Sequence, residues 1–360
     1  MNPVELITIA AGVILLLILA LLMYSISFFK KIEELNNKYL PDDNLRSSAV
    51  EDPSKKLYVI TCISNPRKYK SRYKLYREFK EYMSTVKGVE LYTVEHAFKD
   101  RPFEITETSD PYAIQVRGDQ EFWHKENLLN IGLQHLPKEA KYIAWIDADV
   151  RFLNPNWVQD TIDSLDSHDF VQMFSEYIDL GPNGEHLSKM TSFIYAYVTG
   201  EEQLIDTRYG NGRKGATGLA WAATREAIDN VGGLIDWCIV GSGDWHMAYC
   251  LIGKGVEIAQ SWFSPGYRNL LEKFQADCDR YIRNNVGYVP GVAVHYWHGP
   301  KSKRGYGWRW AILRDNNFDP VLDLKKDTQG LYIVNREKLK LHDDLREYFR
   351  SRDEDSTSLV

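Results

Sequence analysis

The stretch Lys141-Tyr-Ile-Ala-Trp-Ile-Asp147-Ala-Asp149-Val150 is an apolar run that ends in two carboxylates two residues apart. In an extended segment, residues i and i+2 face the same side, roughly 7 Å apart. Two anions held that close repel each other unless a cation lies between them. The pattern is therefore typical of a divalent metal ion that carries a diphosphate. The alternative is that the two acids serve as turn residues or as a helix cap before Asn154-Pro155.

The segments around this stretch alternate between strand and helix patterns. Apolar, β-rich runs predict strands, and apolar residues at helical spacing predict helices. The predicted elements are a strand at 56–63, a helix at 73–83, a strand at 89–94 and a helix at 122–136. This alternation predicts a parallel α/β sheet, in which ligands bind outside the carboxyl ends of the strands. Asp147 and Asp149 would lie at that edge.

Composition limits the possible partners. The chain has 360 residues, of which 44% are hydrophobic and 26% charged, as in a globular protein. Its net charge of −6 argues against nucleic acid as the main partner, because binding to a phosphate backbone normally requires a basic surface.

The N-terminal residues have the character of a membrane anchor. Leu6 to Phe29 contains 24 residues without a charge, enough for a helix of about 36 Å across a hydrocarbon core of about 30 Å. A cleaved signal peptide would have a shorter apolar region after a positive start. Lys30 and Lys31 follow the run and favour a cytoplasmic catalytic domain. Few, irregularly spaced cysteines fit a reducing compartment, although a lumenal or periplasmic domain with disulfides stays open.

The chain is predicted to have four parts. They are a transmembrane anchor at 1–29, a polar stalk at 30–56, a catalytic domain at 57–335 and a charged C-terminal helix and tail at 336–360. A glycine pattern at 210–215 matches a dinucleotide-binding motif, but the segment before it is short and polar rather than a buried strand. We interpret it as a flexible lid or acceptor loop.

Three segments of this chain carry a family resemblance. Trp123-His-Lys125-Glu126-Asn127, then Trp145-Ile-Asp147-Ala-Asp149, and Asn154-Pro155-Asn-Trp157 resemble metal-dependent, nucleotide-sugar glycosyltransferases of the GT-A fold. The resemblance covers about residues 57 to 310. It implies a Rossmann-like, mixed but mainly parallel sheet flanked by helices. It also implies that Asp149 binds Mn²⁺ or Mg²⁺ and that Asp147 faces the metal site, the sugar or the ribose.

A glycine-rich segment supplies a candidate general base. Asp244 follows Gly241-Ser-Gly243 and opens a predicted helix, where a carboxylate is electrostatically favoured. The resemblance implies that an acid here deprotonates the acceptor hydroxyl, which would give inversion, and Asp236 is the reserve candidate. The family often has two acids where this chain has Gly243-Asp244. Asp244 as an N-cap residue, with a retaining mechanism, is the alternative.

A histidine-rich segment completes the resemblance. In Gly291-Val-Ala-Val-His295-Tyr-Trp-His298, a predicted strand ends at a histidine. The resemblance implies that His298, or else His295, completes the metal site, and imidazole with carboxylate is compatible with manganese. The basic residues that follow would bind the diphosphate, namely Lys301, Lys303 and Arg304. A structural histidine and a solvated basic loop are the alternatives.

The resemblance also implies contacts to the nucleotide. The candidates lie after the first strand and at the start of the second helix: Thr61, Ser64, Asn65, Arg67, Lys125 and Asn127. Surface or capping roles are the alternative for each. The nucleobase is not readable from these residues.

The sequence therefore predicts a membrane-anchored glycosyltransferase. It would move a sugar from a nucleotide-diphosphate donor to a hydroxyl of a saccharide, glycolipid or glycoprotein. A nucleotidyltransferase also needs paired carboxylates and a metal. A carbohydrate-binding protein on a degenerate GT-A scaffold is the non-enzymatic alternative.

Overall fold

A computed structural model describes residues 55–200 and 215–359 of the chain. The strands are β1 (Leu57–Ser64), β2 (Val89–Phe98), β3 (Ala113–Gly118), β4 (Tyr142–Ile146), β5 (Val150–Phe152), β6 (Phe170–Gln172), β7 (Glu176–Leu180), β8 (His186–Ser192), β9 (Gly215–Ala216), β10 (Ala220–Thr224), β11 (Val286–Tyr288), β12 (Val292–His295), β13 (Leu324–Lys326) and β14 (Tyr332–Val334). The α-helices are α1 (Lys70–Thr85), α2 (Lys125–His135), α3 (Trp157–Leu165), α4 (Phe193–Val198), α5 (Arg225–Asn230), α6 (Gly243–Leu251), α7 (Pro265–Asp277), α8 (Arg309–Asp315), α9 (Pro320–Asp323) and α10 (Leu339–Ser351). A π-helix spans Cys278–Ile282 and a 3-10 helix spans Lys301–Arg304.

The central sheet has the strand order β11-β6-β10-β4-β1-β2-β3 within the described residues. Strands β4, β1, β2 and β3 are mutually parallel, and β11 is parallel to β6. Strand β10 runs antiparallel to both of its neighbours. The fold is therefore mixed α/β with a mainly parallel central sheet, as the sequence predicts, and it is consistent with the GT-A type.

Both faces of the central sheet are covered, which explains its continuous apolar strands. On one face, Ile60 of β1 packs in a cluster that includes Leu128 and Ile131 of α2. On the other face, Val59 packs in a cluster that includes Phe79 of α1 and Ile162 of α3. Successive residues of β1 thus enter opposite layers.

A second sheet lies beside the carboxyl ends of these strands, with the order β5-β12-β7-β8-β9 within the described residues. Strand β5 follows β4 after a short turn and pairs antiparallel with β12. The pairing aligns His295 with Val150, so the end of β12 meets the turn that carries the two aspartates. This is how the fold brings the acidic and histidine-rich segments together.

The C-terminal helix packs on the rest of the protein. Leu341, Leu345, Tyr348 and Phe349 are buried along one side of α10, whereas Leu339 is 71% exposed. This helix, Leu339–Ser351, lies within the segment at 336–360 that the sequence predicts to form a charged helix and tail. These residues belong to the same compact unit as the central sheet.

Some predictions fall outside the described residues. They include the transmembrane helix, most of the polar stalk and residues 210–214 of the glycine pattern. Across residues 55–200 and 215–359, no helix is both long enough and apolar enough to cross a membrane.

Candidate functional site

The two aspartates lie in a tight turn between β4 and β5. The Val150 N–H donates to the Asp147 carbonyl at 3.1 Å, and the Asp147 N–H donates to the Leu219 carbonyl at 2.9 Å. The expectation of an extended Asp-x-Asp segment is therefore wrong. The chain must turn after β4 because β5 pairs in the other sheet. The turn gives the two carboxylates different neighbours.

Asp149 meets two histidines from the far end of the chain. Its Oδ2 lies 3.2 Å from His298 Nε2, and its Oδ1 lies 3.8 Å from His295 Nε2. The two Nε2 atoms are 3.3 Å apart. Adjacent ligands of an octahedral ion at about 2.1 Å would be about 3.0 Å apart, so the spacing of these atoms suits a divalent metal.

The electrostatics of this cluster also fit a metal. Burial, followed by the charge of Arg304, lowers the pKa of His298 well below its ordinary value, so the imidazole is neutral and can offer a lone pair. Asp149 Oδ1 is buried and makes no hydrogen bond to the described residues. One carboxylate and two imidazoles are compatible with Mn²⁺. Within the described residues, these three side chains form the group able to hold a metal ion.

Asp179 of β7 orients one of these histidines. Its Oδ1 lies 2.8 Å from His295 Nδ1, which directs Nε2 towards Asp149. The Ser188 hydroxyl donates to Asp179 Oδ2 at 2.8 Å, and Lys301 donates to the same oxygen. Burial raises the pKa of Asp179, but the bonds from His295 and Lys301 outweigh it and hold that pKa below its ordinary value. A carboxylate behind a ligating histidine fixes its tautomer and orientation.

Asp147 faces a different partner. Lys125, the first residue of α2, places its Nζ 2.5 Å from Asp147 Oδ1. Burial raises the pKa of Asp147, although Lys125 lowers it in part. Both side chains line the same cleft as the metal-type cluster. The lysine therefore neutralises Asp147 and leaves Asp149 to the histidines.

Asp244 lies in the first turn of α6, where the helix dipole favours a negative charge. The preceding Ser242 has φ +81°, and its Oγ accepts hydrogen bonds from Arg309 at 2.8 Å and Trp310 at 3.0 Å. The Thr217 hydroxyl donates to Asp244 Oδ2 at 3.2 Å. This network fixes the start of the helix and leaves the Asp244 carboxylate at the cleft wall.

Glu126 is a buried acid beside Asp244. The indole of Trp123 donates to Glu126 Oε2 at 2.9 Å. Burial raises the pKa of Glu126 to about 7. A Cβ added to Gly243 would lie 2.5 Å from the Ile235 carbonyl and 3.0 Å from the Glu126 side chain. A side chain at position 243, where the family named above often has an acid, would therefore collide with the Ile235 carbonyl and the Glu126 side chain. Glycine fits at this position.

These groups line one cleft of about 640 Å³. The cleft brings together most of the side chains that the sequence singles out. Those that line it are Ser64, Lys125, Asp147, Asp149, Asp244, His295, His298, Lys301 and Arg304.

Three other nucleotide candidates lie outside the cleft lining. The Thr61 hydroxyl donates to the Ile146 carbonyl at 2.8 Å and ties β1 to β4. Asn65 Oδ1 accepts from the Tyr69 N–H at 2.9 Å within the loop before α1. Arg67 forms an ion pair with Glu121 at 2.5 Å. These contacts stabilise the fold around the cleft.

The remaining candidates also have structural contacts. Asn127 Nδ2 donates to the Gly330 carbonyl at 3.0 Å, and the Asp236 carboxylate pairs with Lys326 at 2.8 Å. Lys303 is an exposed residue of the 3-10 helix. None of the three is among the described residues that line the cleft. The reserve base Asp236 therefore does not line the cleft that contains Asp149.

Several cleft residues are missing from the sequence-based set. Asp179 carries no local motif, and its role depends on contacts from distant segments. Glu126 lies within the resembling segment at 123–127, but the sequence gives it no role. The others are arginines of α1, α8 and the C-terminal segment, namely Arg72, Arg309 and Arg352. A basic residue in a charged segment is normally solvated, so no sequence signal separates these from surface arginines.

Comparison with known proteins gives limited likeness. No protein-family profile matches the chain, and a search of curated proteins finds no match. Among solved structures, a Drosophila β-1,4-galactosyltransferase 7 mutant with manganese, UDP-Gal and xylobiose is similar at 10% identity and TM-score 0.32, over 56% of this chain and 62% of that chain. The chain thus spans less than two thirds of that enzyme.

Two further structures have similar scores. S. aureus TarS 1-349 aligns at 12% identity and TM-score 0.32, over 64% of this chain and 73% of that chain. The mannosyltransferase PcManGT from Pyrobaculum calidifontis, with GDP-Man and Mn²⁺, aligns at 12% identity and TM-score 0.30, over 67% of this chain and 74% of that chain.

Proposed function

We propose that this protein is a metal-dependent glycosyltransferase that moves a sugar from a nucleotide-diphosphate donor to an acceptor hydroxyl. The observation that carries the proposal is the convergence of Asp149, His295 and His298 at one cleft, with Asp244 on the same cleft. The support comes from this site and from the sequence motifs, not from the low-scoring structural likenesses.

Asp149, His295 and His298 would hold Mn²⁺ or Mg²⁺, which when bound would neutralise charge on the diphosphate leaving group. Lys301 and Arg304 line the cleft beside these ligands and would bind the same diphosphate. Asp147, which is paired with Lys125, would accept a hydrogen bond from a hydroxyl of the donor sugar or ribose. Ser64 would contact the nucleoside.

Asp244 would act as the general base. Its carboxylate lines the cleft and accepts one hydrogen bond from Thr217, so lone pairs are available for a substrate hydroxyl. The base would take the proton of the acceptor hydroxyl while that oxygen attacks the anomeric carbon and the diphosphate leaves. Direct displacement by the acceptor inverts the anomeric configuration.

We further propose that residues 6–29 anchor this domain to a membrane, with the catalytic domain on the cytoplasmic side. The support is the uncharged apolar run followed by Lys30 and Lys31. A membrane-bound acceptor, such as a glycolipid, would be within reach of an enzyme held in this way. Protease protection of a tagged chain in sealed vesicles tests the orientation.

The function is tested by incubating the full chain with each common nucleotide sugar and Mn²⁺, and measuring release of nucleoside diphosphate. We expect release with one donor, and its loss both on chelation and in Asp149→Ala. Asp229→Ala is the matched control, because Asp229 is a helix residue whose side chain is 63% exposed. Formation of a nucleoside triphosphate and a sugar 1-phosphate when inorganic pyrophosphate is added to the nucleotide sugar would indicate a nucleotidyltransferase. Sugar binding without cleavage of any donor would indicate a carbohydrate-binding protein.

The base is tested separately with Asp244→Asn. We expect metal and donor binding to persist while transfer falls by at least about 100-fold. NMR of the product identifies its anomeric configuration. A product with the donor's configuration would reject Asp244 as the base of a single displacement.

A further inference from the structure

An arginine wall lines one side of the cleft, formed by Arg72, Arg304, Arg309 and Arg352. Arg352 is 3% exposed, and Arg304 and Arg309 are each 8% exposed. Glu354, itself 2% exposed, pairs with both Arg72 and Arg352. Glu354 thus pairs with two of the four arginines.

Two of these arginines lack an acidic partner in the described part of the chain. Arg304 Nε and Arg309 Nε are buried and make no hydrogen bond there. Buried charges are normally paired, because removing an ion from water costs several kcal/mol. Asp179 and Asp147 pair with Lys301 and Lys125, and Asp149 faces the two histidines. Asp244 accepts a hydrogen bond from Thr217 and lies within electrostatic range of Arg309, but it forms no ion pair with that arginine. The buried Nε atoms of Arg304 and Arg309, which have no hydrogen-bond partner among the described residues, therefore point to an anionic ligand.

Hydrogen bonds connect the wall to the start of α6. Arg309 Nη2 donates to Ser242 Oγ at 2.8 Å, two residues before Asp244. Arg309 Nη1 lies 3.5 Å from the Tyr348 hydroxyl, to which Arg352 Nη1 donates at 2.9 Å. Arg352 and Arg72 both donate to Glu354 Oε1, so Arg72 is connected to Arg309 through Glu354, Arg352 and Tyr348.

Aromatic rings hold two of the guanidinium groups. Arg352 lies 5.3 Å from the centre of the Trp123 ring, and Arg309 lies 5.0 Å from that of Tyr306. Stacked, hydrogen-bonded guanidinium groups are preorganised and lose little side-chain entropy when they bind a planar or tetrahedral oxyanion. The wall therefore has the construction of a binding site.

We infer that the acceptor carries an oxyanion, a phosphate or a carboxylate, which Arg309 and Arg352 bind next to Asp244. This inference rests on the proposed function, which places the attacking hydroxyl at Asp244. The donor diphosphate belongs with Asp149, its two histidines, Lys301 and Arg304, which leaves Arg309 and Arg352 for another anion. The Arg309 end of the wall lies at the Asp244 helix instead, so it serves a second anion.

The C-terminal segment is then part of the acceptor site. Arg352 and Glu354 are held by neighbouring contacts: Asp355 accepts hydrogen bonds from the Lys70 and Ser71 N–H groups at 2.9 and 2.8 Å. The Trp297 indole donates to the Ser356 carbonyl at 2.7 Å. The segment thus bridges α1 and the loop between the two metal-type histidines.

The test is calorimetric titration of inorganic phosphate, and separately of glucuronate, into the full chain saturated with Mn²⁺ and UDP or GDP. We expect one of the two anions to bind this loaded protein. Arg309→Gln should weaken that binding about tenfold or more, the effect of losing a charge-assisted hydrogen bond, and leave nucleotide affinity unchanged. Which anion binds distinguishes a phosphate-bearing from a carboxylate-bearing acceptor.

Arg314→Gln is the matched control, since Arg314 lies on the same helix and pairs with Asp315 at the surface. If Arg309→Gln fails to fold, two other variants replace it. Arg72→Gln changes a side chain that is 28% exposed, and Arg352→Lys keeps the positive charge. We expect weaker anion binding in Arg72→Gln and partial retention in Arg352→Lys.

Three results would overturn the inference. Saturating nucleotide could exclude the anion, or Arg309→Gln could weaken nucleotide and anion binding equally; either would assign the wall to the donor. Absence of binding by both anions would reject the site. A protein that binds no nucleotide but binds phosphate through Arg309 would instead refute the proposed glycosyl transfer and leave the oxyanion site standing.

Discussion

His298 Nε2 and Asp149 Oδ2 lie 3.2 Å apart, although they belong to distant parts of the chain. The contact depends on the antiparallel pairing of β5 with β12, which aligns His295 with Val150. A register shift of one residue would turn the His295 side chain to the other face of the sheet. The metal-type cluster is therefore a product of strand pairing.

Replacing His298 should weaken metal binding. We expect His298→Gln to lower Mn²⁺ affinity by at least about tenfold, because one imidazole ligand is lost. Titration followed by the electron paramagnetic resonance signal of free Mn²⁺ measures the change. His168→Gln is the control, since His168 lies three residues after α3 and its Nδ1 is 3.0 Å from the Ser164 carbonyl. Equal affinity in wild type and His298→Gln would contradict the assignment.

Asp179 should act on the metal through His295. Asp179→Asn removes the charged partner of His295 Nδ1, and loss of such a carboxylate typically costs about 10- to 100-fold in metal affinity. The same titration measures it. We expect Asp163→Asn, on the exposed side of α3, to bind Mn²⁺ as wild type does. Unchanged affinity in Asp179→Asn would show that His295 is oriented by other contacts.

Removing one partner of the Lys125–Asp147 pair should destabilise the protein more than replacing both partners. Their side chains are 22% and 28% exposed, so Lys125→Met leaves a largely buried carboxylate without its cation. We expect the free energy of unfolding to fall by about 2–3 kcal/mol. Adding Asp147→Asn should recover most of the loss. Urea unfolding of the two variants tests this, and an equally unstable double variant would refute the pairing energy.

Glu126 should make stability fall as pH rises. Burial raises its pKa from 4.5 to about 7, so the folded protein binds more protons than the unfolded chain between these values. By linkage, its unfavourable contribution grows across this window and reaches roughly 3 kcal/mol above pH 7. Glu126→Gln should remove this slope. The free energy of unfolding, measured from pH 5 to 8, tests this prediction. Curves of equal slope for wild type and Glu126→Gln would contradict the raised pKa of Glu126.

Glu354 should have the opposite pH dependence. Arg72 and Arg352 outweigh burial and lower its pKa to about 2. Its stabilising contribution is therefore present above pH 4.5 and is lost as pH falls towards 2. At pH 7, Glu354→Gln should destabilise the protein by about 3 kcal/mol, because it leaves buried cations unpaired. Asp343→Asn, an exposed acid of α10, should change stability by less than about 0.5 kcal/mol.

Much of the fold is predictable because its elements have strong local patterns. The apolar run of β1, the helical spacing in α2 and the strand before Asp147 all have the residues expected of buried elements. The predicted geometry of Asp147 and Asp149 fails because it assumes that the strand continues. The turn forms because β5 pairs with β12 in the second sheet. No pattern in the neighbouring residues predicts that pairing.

The sequence by itself determines the α/β alternation, the position of the acidic pair at a strand end and the histidines that could accompany it. Each depends on neighbouring residues and their periodicity. Tertiary structure decides which acid meets the histidines, that Asp179 orients His295, and that Arg72 and Arg352 share Glu354 at the cleft. Such contacts depend on strand register and helix packing between distant segments, so short-range sequence patterns do not encode them.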